Sequence, residues 1–156
     1  MSHPTPEQWL GLLLVTESNR PHEWPAIAWV VRNRVASRRF PSTVEKVVLQ
    51  PSQFSRFNDW RHELAEGGPA AVWDAACHWS TVQGLDHLRH LAEIEATEVL
   101  DMPPGSGPFG QKVLHYYSPR SMRPPHSVPG WWWTEIVREV PVPGIDPDRF
   151  RFGESR

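Results

Sequence analysis

Cysteine is almost absent from the chain, with Cys77 the single example among 156 residues. A lone cysteine excludes an intramolecular disulfide, and such sparing use of cysteine is typical of proteins made in a reducing compartment. Cys77 falls in the middle of a predicted helix, on its apolar side, which favours a core thiol over a catalytic one. The G-x-S-x-G turn of serine hydrolases and the glycine-rich phosphate loop are also missing.

Blocks of basic residues and long apolar runs are missing as well. The net charge is −2, which argues against a nucleic-acid partner bound through neutralisation of phosphates. The apolar run near the N-terminus is too short for a membrane span. The stretch 1–15 has no basic region and no small-residue cleavage site. We therefore expect synthesis in the cytoplasm without a signal peptide.

Metal-binding motifs are absent too. His87 and His90 are three residues apart on a possible helix, and His78 precedes them. Zinc enzymes instead use two histidines at four-residue spacing around a glutamate, or histidine together with thiolates. The sequence thus predicts no metal site and no cofactor.

Tryptophan and proline are abundant, with 9 and 17 residues. Most tryptophans are expected in the core, and the alternative is a groove whose rings stack on a flat ligand such as a sugar. The length and the ordinary globular composition predict a single domain over residues 1–156.

Periodicity predicts helices first and strands last. Thr5-Pro6-Glu7-Gln8 is a capping box that opens a helix ending near 18–19, and Ser42 to Glu45 forms a second capping box. The predicted helices cover 5–19, 24–37, 42–49, 70–83 and 88–95, the predicted strands lie in 113–118, 134–142 and 149–152, and 51–60 is predicted as an ordered loop. This order indicates an α+β fold, mainly helical, with a small β-rich C-terminal part.

Glu17 is the first candidate for chemistry. It follows the apolar residues Leu10, Leu13 and Leu14 at helical spacing, so it lies on or beside the apolar face. A carboxyl group in such a place loses hydration, which raises its pKa and lets it keep a proton near neutrality as a general acid. The alternative is a solvated glutamate at a helix end. No second carboxylate has a spacing that forces it to face Glu17.

The segment LHYYSP, residues 114–119, is the second candidate. Strand alternation places His115 and Tyr117 on one face and Tyr116 on the other. An imidazole and two phenols beside a cleft suit a sugar, which combines apolar ring faces with many hydroxyl groups. The alternative is a half-buried strand with hydrated tips.

Several segments together resemble the SleB-like (spore cortex-lytic) cell wall hydrolase family. After Glu17 they are RPHE, PAIAWVVRNRV, FPSTVEKVVLQPSQFS, LHYYSP and PGWW, which follow in the family's order over most of the chain. The chain departs from the family where Ser18 to Pro21 replace a segment with a glycine and a second glutamate. We expect this difference to affect substrate preference more than reaction type.

The resemblance implies a lysozyme-like domain that cleaves the β-1,4 bond between N-acetylmuramic acid and N-acetylglucosamine in peptidoglycan. The implied enzyme is a lytic transglycosylase, which needs a single acid/base, and Glu17 matches that position. The implied substrate-binding residues are Gln53, Phe54, His115, Tyr116 and Tyr117, and Glu23 is a further candidate. Asn33 and Arg34 match the family motif and are interpreted as scaffold for the loop between the first two helices.

Other functions stay open at this point. A hydrolytic muramidase of the endolysin type would use water in place of the intramolecular hydroxyl. A non-catalytic glycan-binding module, for example a phage structural component, would keep the aromatic groove without the acid. Delivery by a phage or a tail-like particle would suit a wall-acting protein without a signal peptide.

Overall fold

The computed structural model describes residues 3–51 and 53–156. The helices are α1 (Pro6–Glu17), α2 (Trp24–Ala36), α3 (Val44–Val48), α4 (Ser55–Asn58), α5 (Arg61–Val82), α6 (Asp86–Asp101) and α7 (Gly130–Glu135). The strands are β1 (Val113–Tyr117), β2 (Ile136–Val140) and β3 (Arg151–Ser155), and single 3₁₀ turns cover Pro21–Glu23 and Pro119–Ser121.

Helix α1 begins as predicted, with a complete capping box. The backbone N–H of Gln8 donates to Thr5 Oγ1, and the backbone N–H of Thr5 donates to Gln8 Oε1. Every residue from Trp9 to Val15 is buried, so the helix is enclosed on all sides and is not simply amphipathic. Glu17 is its last residue, where the apolar run ends.

Several predicted boundaries are wrong. The cap of α3 is Thr43, whose hydroxyl accepts from the backbone of Lys46, so the helix starts one residue later than the Ser42 prediction. The predicted loop 51–60 contains α4. Helix α5 starts at Arg61 and bends at Gly68 (φ 71°), so the predicted helix 70–83 corresponds to its second half. Helix α6 continues to Asp101, beyond the predicted end at 95.

The strands form one antiparallel sheet in the order β1-β3-β2. Phe152 of the central strand pairs with Tyr116 on one side and with Val140 on the other. The predicted α+β class, mainly helical with a small β-rich C-terminal part, is confirmed. Among the residues that the structure describes, no helix combines the length and the apolar character needed to cross a membrane.

Helices α1 and α6 touch at Gly11. A Cβ atom at this position would lie 2.9 Å from both the Cα and the N of Glu93. Alanine is the better helix former by about 1 kcal/mol, but overpacking against a backbone that cannot move typically costs about 1–3 kcal/mol.

Because the clash is with backbone atoms of Glu93, the upper end of the overpacking cost applies. We therefore expect Gly11→Ala to lower the free energy of unfolding by about 2 kcal/mol in urea denaturation, the cost of about 3 less the helix gain of about 1. Gly110→Ala is the matched control, because a Cβ there would meet nothing within 4 Å. An equally stable Gly11→Ala protein would contradict the close approach of α1 and α6.

Candidate active site

Glu17 lies at the C-terminal end of α1 with its half-buried side chain in a groove of about 780 Å³. Loss of hydration raises the pKa of this carboxyl group above its ordinary value of 4.5, and a hydrogen bond from Tyr116 and the charge of Arg34 partly oppose the rise. The direction predicted from the apolar helix is confirmed. A raised pKa favours the protonated form, which a general acid requires.

Tyr116 is the direct partner of Glu17. Its hydroxyl donates to Glu17 Oε1 at 2.5 Å, although the two residues are 99 positions apart. The phenol ring packs against Phe150 and Phe152, with ring centroids 5.8 and 5.6 Å away. Burial, together with the nearby Glu17 carboxyl, raises the pKa of Tyr116 well above its ordinary value. The phenol thus remains a neutral hydrogen-bond donor to one defined carboxyl oxygen.

Arg34 supplies a positive charge that acts on both Glu17 and Tyr116. It is 3% exposed, and it donates from Nε to the Leu114 carbonyl and from Nη1 to Gln53 Oε1. Its guanidinium carbon lies 4.7 Å from the centroid of the Phe40 ring and 5.4 Å from that of Phe54. Burial lowers the pKa of Arg34 to about 10, so the group is charged at neutral pH.

Five parts of the described chain line the groove. Glu17 and Arg34 come from α1 and α2, and Tyr116 comes from β1. The other residues that form the groove belong to the segment around α4, to the segment from the end of β1 to α7, and to the segment before β3: Gln53, Phe54, Ser55, Arg56, Asn58 and Asp59, then Tyr117, Ser118, Arg120, Ser121, Met122, Pro129 and Trp131, then Arg149 and Phe150. Thr16 completes the lining.

Three further residues predicted to bind substrate lie in the groove; Gln53 is exposed there, and the other two have small accessible surfaces. Gln53, Phe54 and Tyr117 are among the lining residues, but Phe54 is 2% exposed and Tyr117 is 6% exposed. The hydroxyl of Tyr117 accepts a hydrogen bond from Arg151. The predicted strand alternation is confirmed, since Tyr117 packs beside Trp131 and Tyr116 points to Glu17.

His115 does not line the groove. Its ring lies between Phe40 and Trp131, with centroids 5.8 and 5.2 Å away, and its Nδ1 is 2.8 Å from Ser155 Oγ. Burial and the charge of Arg34 lower the pKa of His115 to about 4. The imidazole is therefore neutral at physiological pH, and it supports the neighbouring rings without reaching the groove.

Glu23 is not in the groove either, which corrects its assignment as a substrate-binding candidate. It is 0% exposed and accepts two hydrogen bonds from Arg149, at 2.7 and 2.9 Å, and one from Ser18. Burial alone would raise the pKa of Glu23, but the hydrogen bonds and the charge of Arg149 lower it below 4.5. Glu23 is thus an internal ion-pair partner, a role that its local sequence does not reveal.

Asn33 and Arg34 have a scaffold role at a different place from the one predicted. Asn33 Nδ2 donates to the carbonyls of Gly110 and Val113, and Arg34 donates to that of Leu114. Both residues therefore hold β1 and the loop before it, not the loop between α1 and α2. The side chain of Arg34 also reaches the groove beside Glu17, which its position in the NRV motif could have suggested.

Asp59 and Trp131 are two of the lining residues for which the sequence predicted no role. Among the described residues, Glu17 and Asp59 supply the carboxylates that line the groove. Asp59 pairs with Arg56 at 3.1 Å. Trp131 has an exposed indole in the groove. The sequence feature that could have pointed to it is the PGWW segment. Within residues 3–51 and 53–156, no group of three or more potential metal ligands comes together.

Comparison with known proteins identifies the family. A family model described as Cell Wall Hydrolase matches residues 21–144. The catalytic domain of the germination-specific lytic transglycosylase SleB from Bacillus anthracis has a similar structure, with a TM-score of 0.54, 19% sequence identity and 98% of each chain covered. At that identity the likeness establishes a shared fold. No curated protein matches the chain in sequence. Since the family match spans most of the chain, the protein belongs to the cell wall hydrolase family.

Proposed function

We propose that the protein is a lytic transglycosylase that cleaves the β-1,4 bond between N-acetylmuramic acid and N-acetylglucosamine, with Glu17 as its acid and base. The observation that carries the proposal is the carboxyl group of Glu17, which lies in the groove with a raised pKa and a fixed partner in Tyr116. The matched family segment begins after Glu17, so this assignment rests on geometry and electrostatics.

The hydrogen bond from Tyr116 decides which carboxyl oxygen carries the proton. Because the phenol donates to Oε1, the proton of neutral Glu17 resides on Oε2. We propose that Oε2 gives this proton to the glycosidic oxygen as its bond to the muramyl C1 breaks, so that the leaving sugar departs as a neutral alcohol.

The second half of the reaction reverses the proton transfer. The carboxylate of Glu17 accepts the proton of the muramyl 6-hydroxyl while that oxygen bonds to C1, which gives a 1,6-anhydro ring and restores the acid. Water is neither consumed nor released. A single carboxyl group therefore suffices, and the positive charge of Arg34 helps to stabilise its anionic form between the two steps.

A hydrolytic muramidase is the second candidate, and Asp59 is the observation that favours it. Hydrolysis of either stereochemical type uses two carboxylates, and Asp59 lines the same groove. Its side chain is well hydrated, however, and is paired with Arg56. An exposed carboxylate paired with an arginine fits an ordinary surface ion pair as well as a general base that activates water.

Product analysis separates the two reactions. Purified protein is incubated with peptidoglycan sacculi in water enriched in heavy oxygen, and the released fragments are weighed by mass spectrometry. We expect 1,6-anhydromuramyl ends without label. Labelled reducing ends would establish hydrolysis instead, and binding to sacculi without any released fragment would identify a non-catalytic module.

Asp59→Asn tests the role of the second carboxylate. A transglycosylase that relies on Glu17 should keep its rate within about fivefold, the factor that corresponds to the roughly 1 kcal/mol upper worth of the exposed Arg56–Asp59 pair. A hydrolase that needs Asp59 as its base would lose about 10²–10⁴-fold. The measurement is the initial rate of fragment release.

Tyr116→Phe should shift the pH dependence of the rate. The acid form of Glu17 is active, so the rate falls as the pH rises through the pKa of Glu17. The hydrogen bond from Tyr116 lowers that pKa, and its loss should move the descending limb of the profile to higher pH. The rate at the optimum should fall about tenfold, the effect of one hydrogen bond to a charged group.

Tyr117→Phe is the matched control for this experiment. It removes the adjacent phenol hydroxyl, which accepts from Arg151 and makes no hydrogen bond with Glu17 among the described contacts. The descending limb should therefore stay where it is in the parent protein. A shift of equal size in both variants would contradict the role given to Tyr116.

A further inference from the structure

Trp131 differs from the other aromatic residues that line the groove. Phe54, Tyr117 and Phe150 are 2%, 6% and 6% exposed, and the hydroxyl of Tyr116 is engaged with Glu17. Trp131 is 36% exposed in the same groove. It therefore has the most accessible aromatic surface there, in a protein whose other groove rings are largely covered by their own neighbours.

The indole of Trp131 is also held in a fixed orientation. Its ring centroid lies 5.2 Å from that of His115, 6.0 Å from that of Trp132 and 6.3 Å from that of Tyr117. His115 is anchored in turn by Ser155 and by the ring of Phe40. A ring ordered in advance by such contacts loses little conformational entropy when it binds a ligand.

We propose that Trp131 is a stacking subsite for a pyranose ring of the glycan strand and that His115 is the residue that positions its indole. A β-1,4-linked hexosamine carries its substituents at the ring edge and leaves apolar C–H faces that match the electron-rich face of an indole. The subsite rests on the proposed glycan substrate. It deepens that proposal by assigning the sugar contact to an aromatic face outside the acid centre.

The neighbouring residue Trp133 provides a matched control. It belongs to the same helix, α7, and its side chain is 69% exposed. It is not among the residues that line the groove. General surface hydrophobicity predicts that both tryptophans contribute to binding, and a groove subsite predicts that only Trp131 does.

Binding is measured by calorimetry with soluble, uncross-linked glycan strands, in a Glu17→Gln background that prevents cleavage. Trp131→Phe keeps a flat ring, whereas Trp131→Leu keeps apolar packing against His115 and Tyr117 but has no flat face. We expect Kd to rise about tenfold for leucine, about 1.4 kcal/mol, and less than threefold for phenylalanine. Trp133→Leu should leave Kd within twofold.

The role of His115 is tested by a double-mutant cycle. A purely structural effect of His115 would not depend on whether Trp131 is present. His115→Ala should weaken binding severalfold when Trp131 is present and should have no further effect in the Trp131→Leu protein. Equal effects in both backgrounds would show that His115 does not act through the indole.

Three results would overturn the subsite: equal affinity of the leucine and phenylalanine variants, an equal loss in Trp133→Leu, or no binding of glycan strands by the parent. Failure of the proposed acid is seen separately, as full cleavage activity in Glu17→Gln with wild-type Trp131, and the two tryptophans are then compared through their effects on kcat/KM in the parent background.

Discussion

Replacing Glu17 with glutamine should lower the initial rate of peptidoglycan cleavage by about 10²–10⁴-fold, the usual contribution of general acid–base catalysis. Glutamine has nearly the same shape and can still accept the hydrogen bond from Tyr116, but it has no proton to give to a glycosidic oxygen. The groove, the phenol and Arg34 should remain as they are, so the loss reflects the missing proton.

The same variant should be at least as stable as the parent at neutral pH. The folded protein raises the pKa of Glu17 above its ordinary value of 4.5. At a pH between the ordinary pKa and the raised pKa, the folded state therefore binds more protons than the unfolded state. Stability of the parent therefore falls as the pH rises through that interval. The glutamine variant lacks this dependence, and its advantage in thermal midpoint should grow from acid toward neutral pH.

Glu7→Gln is the control for both measurements. Glu7 lies in the first turn of the same helix and is not among the residues that line the groove. Its replacement should leave the cleavage rate unchanged. Full activity of Glu17→Gln would remove Glu17 from the mechanism, and a glutamine variant that is clearly less stable would show that the carboxyl group is structural.

Replacing Glu23 with glutamine should have the largest effect on stability, a loss of about 3 kcal/mol in the free energy of unfolding. Breaking one side of a buried ion pair costs about 3–5 kcal/mol, because the remaining charge loses its partner. The lower end applies here, since the side chain of Arg149 is 18% exposed and keeps some contact with water. Urea denaturation at pH 7 measures the loss.

The pH dependence of this effect has the opposite sign to that of Glu17. The pKa of Glu23 is lowered in the folded state, so its contribution to stability is present above 4.5 and is lost as the pH falls through the lowered value. Parent and Glu23→Gln proteins should therefore converge in stability at acid pH. A constant difference down to the lowest pH would contradict the assignment of an ionised Glu23.

The double variant Glu23→Gln, Arg149→Met identifies the origin of the loss. Removing the orphaned charge should recover part of the stability, because much of the cost of the single variant comes from unpaired Arg149. If the double variant is less stable than the single variant by the full cost of a second lost contact, the two side chains act independently.

Local sequence patterns were sufficient for the parts of the fold that depend on near neighbours. The capping box at Thr5 fixed the start of α1, and alternation in 113–118 assigned the faces of β1. The errors fall where tertiary contacts decide. Nothing in the sequence around Glu23 indicates that its partner is Arg149, which is 126 residues away, and only the packed structure separates it from Glu17.

The candidate site likewise combines a feature that local sequence predicts with features that depend on contacts between distant residues. An apolar helix ending in Glu17 was enough to predict a poorly hydrated carboxyl group. Its pairing with Tyr116 joins positions 99 residues apart. The resemblance placed His115 beside the ligand, yet the ring is turned toward Phe40 and Trp131, because the packing between β1 and α7 fills that side of the strand.

Ser18 joins the two glutamates in a way that matters for anyone who modifies this protein. It directly follows Glu17, its hydroxyl donates to Glu23, and its carbonyl accepts from the indole of Trp24. The buried ion pair of Glu23 and the proposed acid Glu17 are therefore adjacent in the structure. Stabilising substitutions should therefore avoid the residues around Ser18 and begin on the outer surfaces of α5 and α6, where they would leave the position of Glu17 unchanged.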